Sequence, residues 1–110
     1  MRRVDIAALP DAPLAASAMV HADWLPLIES ALREGADVMV SLPPADHAHR
    51  EWRGALAAML ARAHTPRRCN VVAGEGAVLK AFEAYLAAAP GITGQYLEGD
   101  ALGAGDTPGG

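Results

Sequence analysis

Aromatic residues are scarce in this 110-residue chain: two Trp, two Tyr and one Phe, 5% of the whole. Apolar residues still make up 52%, so alanine carries much of that fraction, and alanine buries little area per residue. Trp24, Trp52 and Phe82 must then contribute out of proportion to their number. A second subunit is a natural way to complete so thin a core. Cysteine is limited to Cys69, which excludes an internal disulfide framework and suits a reducing compartment. No basic run exceeds the pairs Arg2-Arg3 and Arg67-Arg68, and the formal net charge is −4. A nucleic-acid-binding face is therefore not expected. No apolar stretch approaches membrane-spanning length, so no membrane partner is expected. Asp5, Pro10, Asp11 and Pro13 interrupt the apolar run that a secretion signal would need, and a cytoplasmic location is the expectation. Glycine is absent before Gly35, which excludes a glycine-rich turn in the first third of the chain.

What is present is an alternation of strand and helix patterns. Arg2–Ile6 reads as a short strand, Ala7–Pro13 as a linker and Leu14–Val20 as a helical stretch by composition. A clearer helix starts at Asp23, a candidate N-cap, with Pro26 in its first turn. Trp24, Ile28, Ala31 and Leu32 recur at helical spacing, and Gly35 sits where a capping glycine belongs. Ala36–Leu42 is apolar on both faces, as a strand buried between helices should be. The next helix carries Trp52, Ala55, Leu56, Met59, Leu60 and Ala63 as its apolar stripe and stops at Pro66. Cys69–Ala73 is a second buried strand, and Gly74 and Gly76 turn the chain into a third helix. That helix shows Val78, Ala81, Phe82, Tyr85, Leu86 and Ala89 in the same pattern. Gln95–Glu98 is a short last strand, and residues 99–110 read as a disordered tail. This order implies right-handed crossovers and a mostly parallel sheet covered on both faces.

Three strings in this order carry a resemblance. They are R-G-A-L-A-A-M-L-A-R-A-H (Arg53 to His64), R-C-N-V-V-A-G (Arg68 to Gly74) and I-T-G-Q-Y-L (Ile92 to Leu97). Together they resemble the C-terminal half of short-chain dehydrogenases/reductases: the long helix after the active-site tyrosine and lysine, the next strand, and the entry to the last strand. The resemblance implies a small, partial, Rossmann-like three-layer α/β domain over residues 1–98, with a mostly parallel sheet of three to four strands. It does not extend to the family's chemistry. The glycine turn that brings backbone amides to a cofactor pyrophosphate is missing after the first strand, so no cofactor is expected. Aligned on the G-A-L of the helix, the family's Tyr-x-x-x-Lys pair falls on His49 and Arg53. His49 retains a transferable proton, but Arg53 stays charged near neutrality. Ser41 ends a strand where the family keeps its catalytic serine, and the family's substrate-binding insertion is cut to Gly74-Glu75-Gly76.

Two further groups invite a chemical reading. Asp46-His47-Ala48-His49 has metal-ligand spacing, but no distant third ligand is evident, and Asp46 also suits the start of the following helix. No metal is expected. Asn70, inside a buried strand, needs hydrogen-bond partners and suits a tie between the strand and a neighbouring loop.

The expectation from these readings is a non-catalytic, degenerate relative of the short-chain dehydrogenases that works through association. It would form a homodimer, or pair with a full-length dehydrogenase-like partner, through the Asp23–Arg33 and Trp52–His64 helices, with Trp52, Leu56, Ala57, Met59 and Leu60 at the interface. The alternatives are a small-molecule binding protein or enzyme using a pocket at Ser41, His49 and Arg53, or one half of a split dehydrogenase.

Overall fold

The computed structural model describes residues 1–99; of the expected tail, residues 100–110 lie outside the described residues. The chain runs β1 (Arg2–Asp5), α1 (Pro13–Met19), a π-helical turn (Val20–Trp24), α2 (Leu25–Arg33), β2 (Val38–Leu42), a single 3-10 turn (His47–His49), α3 (Arg50–Ala63), β3 (Cys69–Ala73), α4 (Ala77–Ala88) and β4 (Tyr96–Glu98). The strands form one sheet in the order β1-β2-β3-β4, every neighbouring pair parallel. β2 and β3 are buried at every position, as their two-sided apolar composition predicts.

Alternation along the strands divides the core. Val38, Val40 and Val71 face α2 and α3 and pack with Ile28, Ala31, Leu32, Leu56, Ala57 and Leu60. Met39 and Val72 face the other way and pack with Leu79, Phe82 and Leu86 of α4. The three-layer expectation is met, but not by crossovers of one hand. The strands are laid down in sequence across the sheet and all point the same way, so crossovers of one hand would place every helix on one face. With the first two right-handed, as the general rule has it, the β3-α4-β4 unit is left-handed.

Three local readings are corrected. The helix expected to begin at Asp23 is continuous with the one before it, and Asp23 lies inside the π-helical turn rather than at an N-cap. The Leu25 amide there bonds back to the Val20 carbonyl. The wider turn eases the clash that Pro26 would otherwise make with the carbonyl four residues earlier. On α3 the buried stripe is Arg53, Leu56, Ala57 and Leu60, while Ala55, Met59 and Ala63 are exposed. On α4 it is Leu79, Phe82 and Leu86, while Val78, Ala81 and Tyr85 face outward. Both stripes are narrower than the apolar pattern because each helix covers the sheet on one side only.

The cap at Gly35 is as expected. Gly35 has φ of 99°, and the Gly35 and Ala36 amides bond to the Leu32 and Ala31 carbonyls at 3.1 Å, the paired bonds of a Schellman ending.

Candidate functional site

All four strands end on the same side, and that carboxyl edge is where an open α/β sheet presents ligands. Two hollows lie there. One, of about 410 Å³, is bordered by Leu9, Pro10, Asp11, Pro44, Asp46 and His49. The other, of about 400 Å³, is bordered by Asp5, Ser41, Gly74, Glu75, Gly76 and Leu79. Ala7 and Pro43 border both and separate them.

Ser41 belongs to the hollow on the α4 face. It lies on the same side of β2 as Met39, is 3% exposed, and donates its hydroxyl proton to Asp5 Oδ1 at 2.6 Å. Asp5 also receives the Arg3 guanidinium at 3.0 Å. The Ser41 hydrogen bond, followed by that from Arg3, holds the Asp5 carboxyl below the usual carboxylate range. A carboxylate so stabilised is a weak base for its serine.

His49 borders the opposite hollow. Asp46 caps the 3-10 turn that carries it, its side chain accepting from the Ala48 amide at 3.1 Å; α3, the helix expected to carry that cap, has His49 at its N-cap instead. His49 Nδ1 accepts from Trp52 Nε1 at 3.1 Å, so the ring proton sits on Nε2, which donates to the Asp11 carbonyl at 2.9 Å. Both ring nitrogens are thereby engaged within the chain.

Arg53 borders neither hollow. Although charged, it is 1% exposed, lodged between β2 and β4. One terminal nitrogen donates to the Pro43 carbonyl at 2.9 Å and to the Tyr96 hydroxyl at 3.1 Å. The guanidinium carbon stands 5.4 Å from the Trp52 ring and 5.8 Å from the Tyr96 ring, within cation–π range. Its Nε is buried with no hydrogen-bond partner among the described residues. Burial is the largest influence on the Tyr96 phenol and pushes it up; Arg53 opposes this, and the Glu98 carboxylate adds to it. Glu98 in turn pairs with Arg50 at 3.0 Å.

Neither of these hollows among the described residues thus gathers Ser41, His49 and Arg53 together. Sequence reasoning also missed Asp5, the indole of Trp52 and the hydroxyl of Tyr96, which occupy the polar atoms of those three side chains. The shared parity of Met39 and Ser41 along β2 puts the two on one side of the strand, but with every position buried it does not show which face that side meets.

Asn70 forms the tie expected of it. Its amide donates to the Ile92 carbonyl at 3.0 Å and its oxygen accepts from the Gln95 amide at 3.0 Å. Thr93 Oγ1 accepts from the Cys69 amide at 3.1 Å. Gly94, at φ of 74°, passes so close to α3 that an added Cβ would meet Ala61 Cβ at 3.3 Å. The I-T-G-Q string is therefore a clasp joining β3 to β4.

A nicotinamide dinucleotide does not fit these residues. The segment after β1 is Ile6-Ala7-Ala8-Leu9-Pro10, without glycine. The hollow at the start of α4 is bordered by Asp5 and Glu75, and the other by Asp11 and Asp46, with no Lys or Arg on either. A pyrophosphate would meet like charge. Among the described residues, no three His, Cys, Asp or Glu side chains are grouped to hold a metal ion, and no helix is long and apolar enough to cross a membrane.

Among known proteins, the family model described as "Short chain dehydrogenase-like protein" matches residues 4–99. That span opens inside β1 and takes in every later strand and helix described above. No curated protein and no solved structure matches the chain.

Proposed function

The chain belongs to the short chain dehydrogenase-like family, and from that premise we propose that it is a non-catalytic scaffold acting through association, with itself or with a longer dehydrogenase-like partner. One observation carries this reading. At the positions where the resembled family keeps its proton-transfer pair, His49 has both ring nitrogens engaged and Arg53 is buried against Pro43 and Tyr96. Neither is free to meet a substrate oxygen.

The outer faces of α2 and α3 are the association surface. Leu27 is 58% and Met59 51% exposed, and Ala55 and Ala63 are exposed beside Met59 on α3. Trp52 is half-buried at the rim. Leu56, Ala57 and Leu60, read from the sequence as interface residues, pack against this chain's own sheet and support the surface from beneath.

Sedimentation velocity on the full chain at micromolar concentration tests the proposal. A dimer that Leu27→Glu with Met59→Glu returns to monomer is the expected result; a strict monomer overturns it. Turnover of NADH or NADPH that Arg53→Ala abolishes would overturn the non-catalytic part.

A second reading, small-molecule binding, is favoured by the two hollows at the carboxyl edge. A thermal-shift screen with dinucleotides, small acids and small amines separates it from the first. A shift removed by Ser41→Ala or His49→Ala, with the chain still monomeric, would favour binding.

A further inference from the structure

Among the described residues β1 is paired on one side only, with β2. The amides of Arg2 and Ile6 donate to the Asp37 and Ser41 carbonyls at 2.8 and 2.9 Å. By strand alternation, residues 2, 4 and 6 direct their backbone groups to β2, and the N–H and C=O of Arg3 and Asp5 point away from the sheet. Their side chains share the α4 face. Arg3 reaches Glu83 of α4 at 3.0 Å and Asp5 at 3.0 Å. Val4, between them, turns to the other face and packs on the larger core.

This edge is complementary to itself. Antiparallel pairing needs, on each strand, residues with outward backbone groups at every second position, and Arg3 and Asp5 supply them. A two-fold axis through Val4 sets Arg3 opposite Asp5 of a second copy and Asp5 opposite its Arg3. Both are hydrogen-bonded pairs, and each brings opposite charges face to face. Slipping the register by two residues sets Asp5 against Asp5 or Arg3 against Arg3, so charge selects one register. The same axis keeps both α4 helices on one side of the joined sheet, and Val4 meets Val4 on the other.

We propose that the β1 edge pairs with β1 of a second copy, antiparallel about Val4, joining two four-stranded sheets into one continuous sheet. This surface is separate from the α2 and α3 faces and does not rest on their role. An isologous contact of this kind closes on itself, so it ends at a pair of chains rather than growing into a fibre. With the helix faces also engaged, two different two-folds would make a tetramer.

Residue-resolved hydrogen exchange on the full chain carrying Leu27→Glu with Met59→Glu, which together disable the helix surface, tests the proposal. As concentration rises from micromolar to millimolar, the Arg3 and Asp5 amides are expected to slow. The Val4 and Ile6 amides are protected at every concentration. Arg3→Asp and Asp5→Arg should each weaken the pairing about tenfold by setting like charges opposite one another, and the double variant should recover most of the loss. Concentration-independent exchange at Arg3 and Asp5 overturns the proposal. A natively folded double variant that pairs no better than either single one also overturns it. If the double variant does not fold, the exchange measurement on the chain with native β1 decides alone.

Discussion

Trp52 Nε1 donates to His49 Nδ1 at 3.1 Å, and this one bond decides which ring nitrogen of the histidine carries its proton. Nitrogen chemical shifts of the neutral His49 ring in the native protein should report its proton on Nε2. Trp52→Phe keeps most of the ring volume and removes the donor, at a cost of about 1 kcal/mol. Unchanged stability together with an unchanged His49 nitrogen spectrum would contradict this.

Arg53 is a buried cation with no carboxylate in contact among the described residues, held by a carbonyl, a phenol and two aromatic rings. Arg53→Ala leaves a cavity and an unpaired Pro43 carbonyl and is expected to cost about 3 kcal/mol or more. Arg53→Met fills the space, abolishes the desolvated charge and should cost about 1 kcal/mol or less. Denaturant midpoints in which Arg53→Met costs as much as Arg53→Ala would show that the charge and its hydrogen bonds, rather than the filled volume, stabilise the fold.

Acid should loosen the molecule through Asp5 and Asp37, both held below the ordinary aspartate value of 3.8. For Asp5 the leading cause is the Ser41 hydroxyl, then Arg3. For Asp37, burial is the largest influence and pushes upward, but the Arg68 amide at 2.8 Å and guanidinium at 3.2 Å together outweigh it. A depressed native value means stabilisation that is present above the unfolded value and lost as pH falls through the native one. Stability is therefore expected to fall below about pH 4. The double variant Asp5→Asn, Asp37→Asn should show a shallower decline in urea titrations. An equal acid slope in both proteins would dismiss these two carboxylates as its source.

Cys69 is fully buried in β3, and burial pushes its thiol from 9.0 up to about 12. The native protein should resist thiol-specific reagents at pH 8 and react in full once unfolded. Above pH 9.0 the unfolded thiol ionises while the native one does not, so stability should decline as pH rises toward 12. Cys69→Ala should lack that share of the decline. Rapid labelling of the native thiol would show that β3 opens readily.

Where local chemistry determines local geometry, the sequence was legible. Gly35 marks a helix end because a left-handed residue is needed there, and Cys69–Ala73 reads as a buried strand because both its faces are apolar. Two kinds of information were hidden. A strand buried on both faces shows no alternation, so nothing in V-M-V-S-L told plainly that Ser41 and His49 would serve different sides of the sheet. On α3, an arginine at the centre of the buried stripe looks like a surface residue. Its neighbours Trp52 and Met59 look like core, which turned the reading of the helix by about one position. Arg53 is buried because Pro43, Tyr96 and Trp52 converge on it, and those three come from separate elements. The departure of α4 to the far face is likewise a property of the sheet order and has no signature within the helix.

That departure also bears on how the chain reaches its native state. The twist of strands favours a right-handed return, so local preference does not carry the segment from Ala73 to Tyr96 to the side where it ends. Only the patch made by Met39 and Val72 can retain Phe82 and Leu86 there, and that patch exists once β2 and β3 are side by side. Asn70 and Thr93 fasten that segment to β3 from the loop before β4. Native-state hydrogen exchange is expected to find its amides opening ahead of those of β2 and β3.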